Sequence, residues 1–533
     1  MKKVYLVLLV VTFGGFISSC GSFGSGVEPG KAHLVASQKL DIKTGWGFQS
    51  AVPLDGGECV VSGVSSADSA VLFLYDDSLH PVWTKKLYAD LAAKGRASLG
   101  GVQNMFGSSF GKTDGDWPEL QFLYRAGSSI ILPINSTKDN LTHGHAAVLD
   151  ATSGDVLRDV PIMDMNWDDF GPGHDGSSTT DYKEAKSGMG FQPRFSPDSS
   201  RVLFYKYHLT ATGADFTAKI FDRALNSSSP AEWRVTFDSL KDRVDGAAVD
   251  NDGSIYVFTR NADDDDSLAA CVTRRTLDGS LAQLRFHPTL GEDSNIRIYR
   301  VCVSSHGPAY YACGIDRGGK LTAGAVAVFD FTNKRAALHR LELPKQLIDS
   351  LTNSSSFDDV ELTDLYISDA EKRIVLTFEQ NDESTEFYDP YDGGTINTSR
   401  PISDITITGH KSKNILVTAF DLDGTPQWVN GFSKDQSEDQ NFLTNISHTF
   451  TISPDHSVAY WYRDDRYIRR IRYDLATGKQ VSGEDELNIV RLGLSNNNLP
   501  KFSKLLSDGS YLMFSDLGAM AMFHDSWVFK LAE

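Results

Sequence analysis

One short polar stretch, DMNWDDFGPGHDG, combines carboxylates, an amide, an indole and an imidazole. Within it, Asp164, Asn166 and Asp168 occupy every second position, which is the spacing of the first oxygen ligands in a calcium-binding loop. The pattern then departs from that loop, because Asp169 stands where the turn requires glycine and Asp175 stands where a bidentate glutamate is needed. A weak Ca²⁺ site at the first three residues is therefore one interpretation, and a solvated acidic loop is the favoured one.

A second polar segment, NDESTEFYDPYDGG at 381–394, places two tyrosines among further carboxylates. Aromatic rings beside carboxylates suit contacts with a carbohydrate or a protein. The alternative is that these rings pack down onto the rest of the fold. The predicted binding residues of the two segments are Asp164, Asn166, Trp167, Asp168, Asp169, His174, Asp175, Tyr388, Asp389, Tyr391 and Asp392.

Catalysis has less support than binding. The chain contains no G-x-S-x-G elbow, no Walker loop and no HExxH motif. His143 and His145 lie two apart on a strand-like stretch, so both face one side, but two ligands are too few for a metal site and a structural role is favoured. Paired carboxylates about 5–10 Å apart would suit a carbohydrate hydrolase or lyase. The acid/base candidates for that alternative are Asp168, Asp169, Asp389 and Asp392.

The elements that must position these residues are short strands in a recurring unit. The segment 443–482 contains four strand-length apolar runs separated by turns rich in Asp, Gly, Ser and Pro, which is the signature of consecutive hairpins. Eight such units follow one another along the chain, with seven as the alternative count. An all-β fold is therefore predicted: a single β-propeller domain at 32–533, with about eight four-stranded blades. The last unit lacks one strand, and the N-terminal segment 32–42 is predicted to complete it and close the ring.

The length of the connections predicts which side of the propeller carries function. The turns between strands one and two, and between strands three and four, are short and fall on one face. The longest insertions belong to the opposite face, and they are 89–118, 163–189 and 381–401. Long loops on a rigid scaffold are commonly functional, so this face is the predicted binding surface.

The N-terminus has the pattern of an export signal. Lys2 and Lys3 precede an apolar run that is too short to span a bilayer as a helix. The run ends in Ile-Ser-Ser followed by Cys20, which resembles the bacterial lipobox. That resemblance implies a signal peptide at 1–19, lipidation of Cys20 and a flexible tether at 20–31. By resemblance to enterobacterial lipoprotein sorting, Gly21 rather than Asp after the cysteine implies the outer membrane, with the periplasmic face slightly favoured over the cell surface.

The net charge limits the partners that the chain can bind, and its cysteines raise the question of a disulfide. The formal net charge is −19, and such an acidic surface repels phosphate backbones, so nucleic acid is excluded as a partner. Exported proteins can form disulfides, and a four-residue hairpin loop would place Cys302 opposite Cys313. Two buried free thiols are the alternative.

The turns Asp423–Trp428 and Asp474–Gly478 resemble the repeats of quinoprotein propellers, which mark blade geometry rather than catalysis. Unit six joins DLYISDAEKRIVLTFEQ to DITITGHKSKNILVTAFDLDGTPQWVNGF. Over about one blade it resembles poorly characterised β-propeller lipoproteins of Bacteroidetes that carry quinoprotein-like or WD40-like repeats. The resemblance implies a fold and a location but no activity. The resulting hypothesis is a membrane-anchored, non-enzymatic binding or scaffold lipoprotein that contacts a protein or glycan through its long-loop face.

Overall fold

A computed structural model of the chain gives the architecture. It describes residues 33–42, 48–64, 69–88, 115–118, 120–138, 141–166, 169–170, 193–209, 214–226, 231–237, 242–261, 270–287, 294–305, 307–352, 357–388, 405–438, 448–453, 455–464, 467–481, 485–488, 497–498, 504–516 and 526–532. These residues form eight antiparallel sheets, which are the blades of one propeller ring. The predicted count of eight blades is confirmed, and the alternative of seven is wrong.

The strands follow one another through the blades in chain order, apart from the first, which belongs to the last blade. The strands are β1 (His33–Leu40); in blade one β2 (Phe48–Pro53), β3 (Cys59–Val64), β4 (Ala70–Tyr75) and β5 (Pro81–Tyr88); in blade two β6 (Gly115–Pro118), β7 (Tyr124–Ala126), β8 (Ser129–Lys138), β9 (Leu141–Asp150) and β10 (Val156–Asn166); in blade three β11 (Asp169–Phe170), β12 (Arg194–Phe195), β13 (Arg201–Leu209), β14 (Ala214–Asp222) and β15 (Ala231–Phe237); in blade four β16 (Asp242–Val249), β17 (Ile255–Asn261), β18 (Ala270–Arg275) and β19 (Leu281–Phe286).

The second half of the ring contains the longest strands and one helix between blades five and six. Its elements are in blade five β20 (Ser294–Val303), β21 (Ala309–Arg317), β22 (Lys320–Asp330) and β23 (Arg335–Glu342); then α1 (Lys345–Thr352); in blade six β24 (Val360–Ser368), β25 (Arg373–Tyr388), β26 (Ile405–Asp421) and β27 (Pro426–Glu438); in blade seven β28 (His448–Ile452), β29 (Ser457–Asp464), β30 (Tyr467–Asp474) and β31 (Asp485–Asn488); in blade eight β32 (Asn497–Asn498), β33 (Lys504–Leu505), β34 (Tyr511–Asp516) and β35 (Ser526–Ala532).

The N-terminal strand closes the ring as predicted. Strand β1 pairs antiparallel with β35, from His33 opposite Ala532 to Leu40 opposite Ser526. The first and last strands of the chain thereby share one sheet, so the outermost strand of blade eight comes from the other end of the sequence. Closure of this kind pairs strands that would otherwise leave exposed edges.

The core lies between successive blades, because each sheet buries apolar side chains on both faces. Blades four and five, for example, share a cluster that includes Tyr256, Phe258, Tyr311 and Phe329. The Tyr311 hydroxyl also donates to the buried carboxylate of Asp245 at 2.9 Å, from blade five to blade four. Polar bonds therefore reinforce the apolar contact from blade to blade.

Two tryptophans, Trp428 and Trp83, each contact a turn of the next blade. The Trp428 indole of blade six donates to the Leu475 carbonyl of blade seven at 3.0 Å and covers Gly478, where a Cβ would lie 2.5 Å from the ring. Trp83 of blade one makes the same contact with blade two, donating to the Ala151 carbonyl at 3.2 Å beside Gly154. These residues set the packing of one blade on the next, which agrees with a geometric rather than catalytic role.

Two expectations about local structure are wrong. Residues 163–166 belong to strand β10 rather than to a loop, and the segment 171–193 interrupts the innermost strand of blade three, between β11 and β12. The segment 381–388, expected as part of an insertion, is the second half of strand β25. Of the described residues, none belongs to a helix with the length and hydropathy needed to cross a membrane.

The predicted pairing of Cys302 with Cys313 is also wrong. The ladder places Cys302 opposite Tyr310 and Cys313 opposite Tyr299. Cys302 packs toward blade six and Cys313 toward blade four, so the two side chains lie on opposite faces of one sheet, and both are free thiols. Burial raises the pKa of the Cys313 thiol to about 12, so it stays protonated at neutral pH.

Candidate functional site

Blade six carries a paired extension that the other blades lack among the described residues. Strand β24 stops pairing with β25 at Val360 opposite Gln380, but β25 continues to pair with β26 from Asn381 opposite Ser412 to Tyr388 opposite Ile405. We call residues 381–388 and 405–412 the blade-six arm. Eight further residues at about 3.3 Å each extend the hairpin by roughly 26 Å.

The arm stands on the face that the long connections share. In each blade the second-to-third strand connection and the link to the next blade leave from the same end of the sheet. The segments 89–114, 262–269, 389–404, 439–447 and 517–525 are all of these two kinds. On the other face, described connections such as Asp76 to His80 and Asp421 to Thr425 close by short hydrogen-bonded turns. We call the two sides the long-connection face and the short-turn face.

A buried ionic cluster lies at the base of the arm, between blades six and seven. Lys434 on β27 donates through Nζ to Oε1 of Glu379 on β25 at 2.5 Å. His448, which begins blade seven, contacts Oδ2 of Asp364 through Nε2 at 2.6 Å and approaches Oε2 of Glu379 through Nδ1 at 3.4 Å. The side chains of Lys434, Glu379 and His448 are at most 1% exposed, whereas that of Asp364 is 29% exposed.

Polar neighbours add further hydrogen bonds to this cluster. The Ser412 hydroxyl donates to Glu379, and Lys434 also donates to the Gln436 amide oxygen at 2.6 Å. Beside this cluster, the Asn414 amide on β26 donates to the Gln380 amide oxygen on β25 at 2.7 Å. Buried polar groups are tolerable only when bonded in this way. All three strands that carry the arm are thus cross-linked at its base.

The charges of the cluster hold one another in the ionised state. Burial alone would lower the pKa of His448, but the carboxylates of Asp364 and Glu379 outweigh it and raise that pKa to about 9. Burial would likewise raise the pKa of Glu379, and the Lys434 ammonium and His448 imidazolium instead hold it well below its usual range. For Lys434 the Glu379 carboxylate offsets burial only in part, so the pKa of its ammonium is lowered. Buried ion pairs of this kind fix geometry more than they add stability.

The cluster is suited to positioning rather than to catalysis. Only Asp364 reaches solvent appreciably, so a substrate cannot approach the lysine or the glutamate. Among the described residues, no group of three His, Cys, Asp or Glu side chains has the arrangement of a metal site. What the arrangement can do is hold the arm at a fixed angle to the ring.

The structure places only part of the residue set predicted from sequence. Asp164 lies near the end of β10 and bonds through Oδ1 to Nδ1 of His143 at 2.7 Å, while Asn166 ends that strand, Asp169 begins β11 and Tyr388 ends β25. The ends of β10 and β25 both lie on the long-connection face. The predicted residues outside the described part of the chain are Cys20, Trp167, Asp168, His174, Asp175, Asp389, Tyr391 and Asp392.

Consequently the Ca²⁺ site and the carbohydrate acid/base pair remain predictions. Asp164 already engages a histidine, and its proposed partner ligand Asp168 lies outside the described residues. Of the four acid/base candidates only Asp169 is placed, as the first residue of β11.

No protein-family model and no curated protein matches this chain. Solved structures share its outline. The Dos1 propeller is 10% identical with a TM-score of 0.44, covering 94% of this chain and 97% of that one. The Chaetomium thermophilum Sqt1, bound to the N-terminus of the ribosomal protein L10, is 11% identical with a TM-score of 0.41, covering 93% and 99%. The polysaccharide lyase Uly1 is 9% identical with a TM-score of 0.38, covering 95% and 94%.

The likenesses are in the fold. The chain is an eight-bladed β-propeller. At these identities and TM-scores the ligands of the neighbours say nothing about the ligand of this chain, so function has to be argued from its own residues.

Proposed function

We propose that this protein is a lipid-anchored binding protein of a bacterial envelope, which recruits its partner through the blade-six arm and the long-connection face, and that this surface binds without catalysis. The observation that carries the proposal is the arm. The ring closes through β1 and β35 in blade eight, so the extension at 381–388 in blade six takes no part in the pairing that closes it. A strand pair that extends beyond its sheet and takes no part in ring closure is typical of a recognition element.

The exposed edge of the arm favours a protein partner. Beyond Gln380 the described residues of β24 no longer pair with β25, whereas β26 stays paired with β27 up to His410 opposite Glu438. The Asn381 N–H still donates to the Asp359 carbonyl at 2.8 Å, so the β25 edge presents backbone N–H and C=O groups along 382–388. An extended peptide segment can add to such an edge as a further strand. A glycan stacked on Tyr388 is the alternative ligand.

The direction of the chain at its N-terminus supports this assignment. His33 pairs with Ala532, whereas Leu40 pairs with Ser526, the residue that follows the connection 517–525 on the long-connection face. The strand therefore begins on the short-turn face. A tether leading from Cys20 to His33 would turn the short-turn face toward the membrane and the arm away from it. In this arrangement, proposed for the outer membrane with a periplasmic orientation, the arm is free to meet a partner.

The anchor is tested by replacing Cys20 with alanine. We expect the variant to lose metabolic incorporation of a fatty-acid label and to be recovered in the wash when membranes are prepared, since the proposed lipid is its only attachment. The matched control is Cys59→Ala, a buried cysteine of blade one, which should keep the label. Lipid label retained on the Cys20→Ala protein would contradict the anchor.

The binding face is tested by photo-crosslinking from two positions of blade six. A photoreactive amino acid at position 388 lies on the arm, and one at Asp423 lies in an exposed turn of the short-turn face. In cells of the source organism we expect a discrete crosslinked band from position 388 and none from position 423. Equal adducts from both positions, or adducts from 423 alone, would contradict the assignment of the face.

A further inference from the structure

Blade two carries a row of three side chains in the order nucleophile, base and orienting acid. The Ser136 hydroxyl on β8 lies 2.9 Å from Nε2 of His145 on β9, and Nδ1 of His145 lies 2.7 Å from Oδ1 of Asp159 on β10. We propose that Ser136, His145 and Asp159 form an acyl-transfer site that hydrolyses carboxylic esters with a small acyl group. This activity is separate from the proposed binding through the arm.

The register of the sheet produces this row. His145 stands opposite Ile134 on β8 and opposite Pro161 on β10. Ser136 is two residues from Ile134, and Asp159 is two residues from Pro161. Since side chains two apart share a face, all three polar groups project to one side, on opposite diagonals of the histidine. The same face of β8 carries Leu132 and Ile134 into the core with blade one, so the row continues that face where the apolar contact ends.

The site is open to solvent on one side. Ser136, His145 and Asp159 line a cleft of about 450 Å³. The side chain of His145 is 20% exposed and that of Asp159 is 60% exposed, while Ser136 is half-buried. A cleft of this size accepts a small ligand. The ring of His145 is thus shielded enough to be held in place, yet the hydroxyl it bonds can be reached from the cleft.

The geometry assigns a role to each group. With Nδ1–H donating to Asp159, the neutral imidazole keeps its lone pair on Nε2, directed at the serine hydroxyl. The serine oxygen attacks the ester carbonyl carbon while its proton passes to Nε2. The same proton then passes to the departing alkoxide as the C–O bond breaks, which releases an alcohol and leaves an acyl-serine. Water attacks the acyl-serine with Nε2 again taking the proton, and returning that proton to the serine oxygen releases the carboxylic acid. Asp159 is a positioning residue.

A neighbouring pair provides an internal control. Nδ1 of His143 bonds Oδ1 of Asp164 at 2.7 Å on the same face of the sheet. In the part of the chain that the structure describes, no serine hydroxyl bonds to Nε2 of His143. Each of the two histidines therefore has its own carboxylate partner, but only His145 bonds a serine hydroxyl among the described residues. If the polar row only solvated the outer part of the blade, the two pairs would behave alike.

The test is covalent labelling of the detergent-solubilised full-length protein with a fluorophosphonate probe, together with hydrolysis of p-nitrophenyl acetate. We expect one adduct, on Ser136, in peptide mass spectra. Ser136→Ala should abolish it, and His145→Gln should lower the labelling rate at least about 100-fold. His143→Gln should leave the rate within about twofold. Asp159→Asn should lower kcat with KM nearly unchanged, because it acts through the histidine.

The expected results distinguish a catalytic site from three side chains that only stabilise the blade. The melting temperature of each variant shows that the blade is folded, and Ser136→Ala changes only one hydroxyl. Absence of a Ser136 adduct in the folded wild-type protein would overturn the proposal. So would labelling that His143→Gln and His145→Gln reduce equally.

Discussion

Replacing Lys434 with methionine should lower the free energy of unfolding by about 3–5 kcal/mol. Methionine fills nearly the same volume, so the loss comes from charge rather than from a cavity. The carboxylate of Glu379 would remain buried without its nearer cation, and the contact with His448 is already the longer one at 3.4 Å. Denaturant unfolding followed by tryptophan fluorescence measures the change. Hydrogen exchange should show it first in β25, β26 and β27, the strands that carry the arm.

Two controls separate this effect from general sensitivity. Lys219→Met breaks an ion pair with Glu232 at 3.6 Å whose side chains are 23% and 33% exposed, and it should cost less than about 1 kcal/mol. In the double variant Glu379→Gln/Lys434→Met no unpaired carboxylate is left, so it should be more stable than Lys434→Met alone. A single variant as stable as the wild type, or a double variant whose loss equals the sum of the two single losses, would contradict the role of the cluster.

The sequence predicts those structural features that depend on residues close together in the chain. Turn residues such as Asp-Gly and Ser-Pro-Asp act within a few positions, so the blades, the eightfold count and the short-turn face could all be predicted from them. The closing strand β1 could be predicted because an incomplete last blade needs a partner from elsewhere. The two-residue period of a strand predicts that His143 and His145 lie on the same face of β9, and this prediction is confirmed.

Register was the first thing that the sequence did not determine. The prediction placed Cys302 opposite Cys313, but its partner is Tyr310. The difference is an odd number of residues, and an odd shift moves a side chain to the other face of the sheet. The actual turn runs from Ser304 to Pro308, closed by a backbone hydrogen bond of 3.1 Å. The predicted turn and the observed turn both contain residues that are common in turns. The register that forms therefore depends on packing against the neighbouring blades.

The arm was missed for a different reason. Residues 381–388 are polar and lack alternating apolar residues, so the sequence predicts them as part of an insertion. In the structure they belong to strand β25, and Lys434 on the nearby strand β27 is buried. Their strand conformation depends on cross-strand pairing and on charges that neutralise one another across blades. Neither relationship is visible within a local window of sequence. The only local sign of this extension in the sequence is a charged residue, Glu379, directly after an apolar run.

The row Ser136, His145 and Asp159 was likewise invisible in the sequence. Its members lie on three strands and match no linear catalytic motif. Only the register of β8, β9 and β10 brings their polar atoms within hydrogen-bond distance. Sites assembled by cross-strand diagonals have no fixed spacing, because the turns between the strands vary in length.

Removal of the blade-six arm should abolish partner capture while the ring stays folded. In the variant, residues 383–410 are replaced by Asn-Gly, which joins Asp382 to Lys411, two residues that pair directly. The residues of the ionic cluster all remain. Residues 262–269, another connection of the long-connection face, are replaced by Asn-Gly in the matched control.

The deciding measurement is quantitative mass spectrometry of proteins captured by each form from the detergent-solubilised membrane fraction of the source cells. We predict that the arm-deleted protein loses its main captured partner at least about 10-fold, equivalent to about 1.4 kcal/mol or more of binding free energy. The control should capture as the wild type does, and the circular dichroism of all three forms should agree. Unchanged capture by a folded protein without the arm would contradict the central claim that the arm is the binding element.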